Sequence, residues 1–270
     1  MPTFHPPAAF LLIRRDSFTE RYDEWGPLRK VIFLVALIGF VFGHLVHLVY
    51  DRFFTGEPLS GPLYECSSCR SPASAISFVP YATVVLSRGR CPRCQEKLAW
   101  RAVILPAGAA ALFVVSYLVF SSLGAALLGG FFATVFLTLT LTDLERRLLP
   151  NRIIYPSILI AIAFCWAWPE TSALQVLLGG AAAIVLATLM FLFSLLFGAD
   201  AFGMGDVKMI VLIGFVVGFP AVVVALLVGT LSAGLVAGIL VVTRIRGLRD
   251  YIPHGPFLAF GAVFALFAAG

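Results

Sequence analysis

The chain has 270 residues, 60% hydrophobic and 12% charged, with a mean hydropathy of +0.99 and a net charge of +5. Its apolar runs are too long and too many for a soluble domain, so the composition indicates an all-α, multi-spanning membrane protein. The positive balance does not imply nucleic acid; in such a chain basic residues mark the cytoplasmic face and its anionic lipids.

Residues 1–28 are polar and mixed in charge. They read as an exposed arm with an amphipathic turn near Phe10 to Ile13, and no cleavable signal peptide is expected there. Apolar stretches then predict eight transmembrane helices, near 31–50, 102–121, 124–142, 153–168, 173–197, 207–218, 220–243 and 252–270. The sixth is short, tilted or broken. Between the first two lies a loop carrying Arg52, Arg70, Arg88, Arg90, Arg93, Lys97 and Arg101. Under the eight-helix reading, Arg146, Arg147, Arg152, Lys208, Arg244, Arg246 and Arg249 fall on the same side as that loop. The turns at 121–122, 168–170 and 218–220 carry no Lys or Arg, so the basic side is predicted to be cytoplasmic. The basic residues of the N-terminal arm are the exception.

The loop also holds Cys66-Ser-Ser-Cys69 and Cys91-Pro-Arg-Cys94. Two Cys-x-x-Cys pairs match a tetrahedral structural zinc site, and with four thiolates no position is left open for catalysis. Reduced thiols or redox dithiols are the alternative, whereas a disulfide framework does not suit a reducing cytosol. Metal would fold a loop that has little core of its own. Cys165 lies in a span and reads as a packing residue.

Two aspartates carry the functional signal. Asp143 closes the third predicted helix and Asp206 opens the sixth, within Gly203-Met-Gly-Asp-Val-Lys208. An ionisable side chain at the edge of a long apolar run is expensive and points to function. If the two helices pack together, the carboxylates can meet at the cytoplasmic edge. One ionised and one protonated carboxyl can activate water, polarise a peptide carbonyl and protonate the leaving amine, as in aspartic proteases. The bland alternative is that Asp206 caps its helix, and Glu145 and Asp200 are rival carboxylates at similar depth. Gly203 and Gly205 permit close approach of an extended substrate backbone. Pro150 is expected to end the short loop after Asp143 and start the next helix.

Five segments in order resemble the bacterial type IV prepilin peptidases. They are Gly43-His-Leu-Val-His-Leu-Val-Tyr-Asp-Arg52, the two cysteine pairs, Asp143-Leu-Glu-Arg-Arg-Leu-Leu-Pro-Asn151, Gly203-Met-Gly-Asp-Val-Lys208 and Ile252-Pro-His-Gly-Pro-Phe-Leu-Ala-Phe-Gly261. The resemblance selects Asp143 and Asp206 as the catalytic pair. It implies prepilin or type II secretion pseudopilin substrates, cleaved after a glycine at the cytoplasmic face of the bacterial inner membrane. It also implies, for many members, N-methylation of the new amino terminus with S-adenosylmethionine. Gly203, Gly205, Lys208 and Glu145 are expected to border the substrate, with Glu145 or Asp200 attracting its basic leader.

The implied organisation is an arm (1–30), a first helix with a zinc-binding, methyltransferase-like loop (31–101), and a seven-helix peptidase domain (102–270). The chain departs from the family pattern at His44 and His47, where Ser and Asn are usual, and lacks the usual Glu after Arg101. Those departures bear on methyl transfer and leave the peptidase segments intact. His44 and His47 are expected to pack between helices. His254, where Phe is usual, is expected in a solvated loop. Two other functions compete: a proton- or ion-coupled transporter, against which stand the position of the acids at one face and the absence of an inverted repeat, and a non-catalytic, zinc-stabilised assembly protein.

Overall fold

In the computed structural model of the chain, the described residues are 9–55, 90, 93–96, 100–168, 171–196, 203–245, 247 and 253–268; within the first stretch, side chains are described for 28–50 and 52. Among them are eight α-helices: α1 (Ala9–Thr55), α2 (Arg101–Val119), α3 (Leu123–Arg146), α4 (Asn151–Ala163), α5 (Ala173–Leu196), α6 (Met204–Val217), α7 (Ala221–Val242) and α8 (Gly255–Ala268). A 3-10 turn, Cys165–Ala167, extends α4. The eight predicted apolar segments each become a helix, and the protein is all-helical and polytopic. From Ala9 on, the arm is helical and continuous with the first span, in one helix of 47 residues.

Among the described residues, five segments are long and apolar enough to cross a membrane: Leu28–Tyr50, α2, α3, α5 and α7. The other three helices, α4, α6 and α8, have only 13, 14 and 14 residues. At 1.5 Å per residue each rises about 20 Å, short of the roughly 30 Å hydrocarbon core.

Three helices, α3, α6 and α8, are more enclosed than the rest. Of the five spans α3 is the most buried, and α6 buries Met209, Ile210, Leu212 and Ile213 completely. The other helices turn apolar faces outward, for example Phe33 and Leu34 on α1, Leu192 and Leu196 on α5, and Leu231 and Leu235 on α7. Lipid is as apolar as leucine, so no hydrophobic gain drives one helix onto another there; close packing does, at about 0.1–0.2 kcal/mol per atom pair. The α5–α6 contact illustrates it. Gly179 and Gly214 face each other backbone to backbone, and a Cβ on either would overlap the carbonyl of its partner.

Cross-helix contacts define the two ends of the bundle. At one end Tyr50 and Arg101 meet Glu145, Lys208 meets Asn151, and Gly255 meets Asp143. At the other, Phe120 packs on Trp168 and Phe267, and the Phe219 N–H donates to the Gln175 carbonyl. Arg101, Arg146, Arg147, Arg152 and Lys208 all flank the first end, whereas the described turns of the second, 120–122, 171–172 and 218–220, carry no Lys or Arg.

α3 starts cleanly, with the Ser122 hydroxyl accepting from the Ala125 N–H at 3.2 Å. It stops at Arg147, which takes a left-handed conformation (φ 53°) and donates its N–H back to the Asp143 carbonyl. Pro150 then sits at the N-cap of α4, as expected from its place in the loop. The sequence reading required α3 and α6 to pack together for their aspartates to meet. They share no extensive interface among the described residues. Instead α8 packs against both, and α4 packs mainly on α6.

Candidate active site

Asp143 lies in the last turn of α3 and Asp206 in the first turn of α6. Both are nearly enclosed, at 4% and 6% exposure. A charged group so placed is stable only with a partner or a proton. Each carboxylate has one backbone partner. Gly255, the first residue of α8, donates its N–H to Asp143 Oδ2 at 3.0 Å. Gly203, just before α6, donates its N–H to Asp206 Oδ2 at 3.1 Å. These donors belong to the unsatisfied N–H groups that open every helix, where a carboxylate is also favoured by the helix dipole.

Asp206 therefore does cap its own helix, as the bland reading held, but through Oδ2 alone. Oδ1 of each aspartate makes no hydrogen bond among the described residues. The two carboxylates are within electrostatic reach of each other, and Asp143 also feels His254 and Arg147. Two acids close enough to couple would share a proton and titrate as a pair.

Gly255 is what lets α8 come so close. A Cβ there would stand 2.6 Å from Asp143 Oδ2 and 3.0 Å from its Cγ. Sequence reading missed this residue's role, although its place in Pro253-His-Gly-Pro256, at the mouth of an apolar helix, was a usable signal. His254 is a second revision. It is half-buried, not solvated: its carbonyl accepts from the Phe257 and Leu258 N–H groups, and its side chain lies in the field of Asp143. Burial pushes its imidazole below the usual range, against the opposing pull of the Asp143 carboxylate.

The other expected site residues divide. A Cβ at Gly205 would press on the Leu149 side chain at 3.2 Å, so close approach is real there. At Gly203 the backbone is ordinary (φ −84°, ψ 155°), and a Cβ would meet Asp206 Oδ2 at 3.7 Å and the Gly205 nitrogen at 3.9 Å, both ordinary contacts. Lys208 turns to α4, donating to Asn151 Oδ1 at 2.9 Å and lying over the Tyr155 ring. Glu145 turns to α1 and α2. Its Oε2 takes both Arg101 Nη1 at 2.9 Å and the Tyr50 hydroxyl at 3.1 Å, so its charge is already matched within the protein. The Arg101 guanidinium lies over the Tyr50 ring, 5.3 Å from its centre.

His47 is fully buried on α1 and His44 half-buried, in keeping with packing positions. Cys66, Cys69, Cys91 and Asp200 lie outside the described residues, and Cys94 is exposed. Among the described residues no three His, Cys, Asp or Glu side chains gather to hold a metal.

Comparison with known proteins supplies the family. Residues 130–239 match the type IV leader peptidase family, and residues 37–120 match the bacterial peptidase A24 N-terminal domain. A protein of Aeromonas hydrophila named prepilin leader peptidase/N-methyltransferase is 28% identical over 202 residues, covering 74% of this chain and 70% of its own. Proteins of the same name in Bacillus subtilis and Neisseria gonorrhoeae are 23% and 29% identical, covering 86% and 83% of this chain and 92% and 86% of theirs. No solved structure matches. Both domains of the type IV leader peptidase family are matched in order, and relatives of one name align over most of the length, so the chain is similar to that family along most of its sequence.

Proposed function

We propose that the chain is a membrane aspartic endopeptidase that removes the leader peptide of type IV prepilins or type II secretion pseudopilins, with Asp143 and Asp206 as its catalytic pair. One observation carries the reading. Two nearly buried aspartates, on two of the most enclosed helices, converge at one end of the bundle; each is fixed through Oδ2 by a backbone N–H, and among the described residues Oδ1 of each has no hydrogen-bond partner.

In the reaction the pair holds one proton. The ionised carboxylate removes a proton from water, which attacks the scissile carbonyl carbon while the protonated partner donates to the carbonyl oxygen. Collapse of the tetrahedral adduct breaks the C–N bond, and the amine leaves with a proton from the pair. The basic residues around the same end support a cytoplasmic location, in the bacterial inner membrane, where anionic lipids would face them. A substrate with a basic leader and an apolar helix would there present its cleavage point at the membrane edge.

The loop cysteines suit a structural zinc: four thiolates in two Cys-x-x-Cys pairs (Cys66, Cys69, Cys91, Cys94) are a closed tetrahedral donor set. Zinc would hold the loop's fold and takes no step in the cleavage described. Coupled transport is not favoured, because both acids lie at one end of the bundle and not at its middle.

The test is cleavage of a prepilin by membranes carrying wild type, Asp143→Asn or Asp206→Asn, with the mass of the product's new amino terminus. Folded but inactive variants are expected. Cleavage by either asparagine variant overturns the assignment. An added methyl on the wild-type product would extend it to the second activity in the relatives' name, with S-adenosylmethionine as donor.

A further inference from the structure

Each aspartate is followed two positions later by a residue of charge: Asp143-Leu-Glu145 and Asp206-Val-Lys208. Residues two apart on a helix are about 200° apart around its axis, so they face different neighbours. That is what the contacts show. Asp143 faces α8, whereas Glu145 reaches α1 and α2 through Tyr50 and Arg101. Asp206 turns back to Gly203, whereas Lys208 reaches Asn151 and Tyr155 on α4. In both cases the ion rests against an aromatic ring as well, or shares its partner with one: Lys208 over Tyr155 at 5.8 Å, and Arg101 over Tyr50.

α3 and α6 have no extensive interface that would fix one against the other. Close packing fixes the bodies of both helices. At their ends, a directional tie on the far side adds a constraint on rotation that apolar contacts lack. We propose that Glu145 and Lys208 are positioning residues that fix the rotation of the α3 and α6 ends, and so the aim of Asp143 and Asp206 at one another. Neither touches the reacting atoms. The inference rests on the reading of the two aspartates as the catalytic pair. It replaces the expectation that Glu145 attracts the substrate's basic leader, since Oε2 is occupied twice and Oε1 is enclosed away from solvent.

The scale of the effect follows from geometry. A misplacement of about 1 Å in a catalytic group can cost on the order of 100-fold in rate while substrate binding is untouched. A leader-binding residue behaves oppositely, because losing it raises KM with kcat unchanged.

The experiment is steady-state cleavage of a prepilin by the purified full-length enzyme, with thermal unfolding measured in parallel. Glu145→Gln and Lys208→Met are expected to lower kcat about 10- to 100-fold, with KM changed by less than about twofold. Arg101→Lys and Lys208→Arg, which keep a donor in reach, are expected to retain most of kcat. Tyr50→Phe removes one hydrogen bond without stranding a charge, so it serves where Glu145→Gln does not fold; a smaller fall in kcat at constant KM is expected. A raised KM at constant kcat, or a lowered unfolding temperature at constant kcat, overturns the proposal. Asp143→Asn and Asp206→Asn run alongside. If they still cleave, the catalytic assignment falls first; if they are dead while Glu145→Gln and Lys208→Met keep full kcat, only the positioning role falls.

Discussion

A methyl group added at Gly255 would stand 2.6 Å from Asp143 Oδ2, closer than real side-chain contacts allow, so either the carboxylate or α8 must move. Gly255→Ala is therefore expected to lower cleavage at least about tenfold, and Gly203→Ala, which meets only ordinary contact distances, to leave the unfolding temperature nearly unchanged. Activity and thermal unfolding of the two variants check this together. His254 gives a pH prediction of definite sign. Its lowered pKa means the folded protein binds fewer protons there than the unfolded chain does. The associated stability is fully present above its ordinary value of 6.5 and is lost as pH falls through the lowered value. Asp143, Asp206 and Arg147 share its surroundings and are common to both proteins compared, so His254→Phe is expected to lose less stability than wild type on acidification from about pH 7 to 5. Unfolding temperatures across that window decide it; equal slopes would refute it. Asp143 and Asp206 were legible in the sequence because a charge at the end of an apolar run is a local signal. Gly255, Tyr50, Arg101 and Asn151 were not, because what makes them matter is a partner over 40 positions away in the chain.

The helices themselves were written plainly in the apolar runs, and all eight form where those runs lie. The extension of α1 back to Ala9 was not. Gly26-Pro27 reads as a break, yet proline is tolerated within helices near a membrane when neighbouring groups satisfy the freed carbonyl. Nor could hydropathy show that α8 would bridge α3 and α6, since an apolar run does not name its neighbours. The α5–α6 contact is the element on which the second aspartate depends. Gly179 and Gly214 bring the two backbones together, and a methyl at Gly179 would overlap the Gly214 carbonyl, a backbone atom that cannot rotate away. Gly179→Ala is expected to force the helices apart at a cost of about 1–3 kcal/mol. Lowered unfolding temperature with reduced cleavage would bear that out, and an unchanged unfolding temperature would count against it.

At the scale of the whole molecule, two of the three short helices, α6 and α8, border the candidate site. α4, α6 and α8 each rise about 20 Å, against roughly 30 Å of hydrocarbon, and the aspartate end of the bundle lies at the first residues of α6 and α8. A hydrolase must bring water to carboxylates that are more than nine-tenths enclosed. Where helices stop short, the bilayer thins or polar ends draw water inward, because unsatisfied backbone groups are not tolerated in hydrocarbon. A bilayer thinned there would bring a route for water to the depth of the helix-end N–H donors and the aspartates. This requires that α4, short as it is, still carries the chain across, with the 3-10 turn Cys165–Ala167 completing its reach. Truncated fusions to a reporter that is active on only one side of the membrane test it directly. Fusions after Arg146 and Arg244 are expected to report one side, and fusions after Ser122 and Thr171 the other. If the Thr171 fusion reports with Arg146, α4 does not cross, the alternation between basic turns and turns without Lys or Arg fails from that point on, and the thin-membrane account of water entry fails with it.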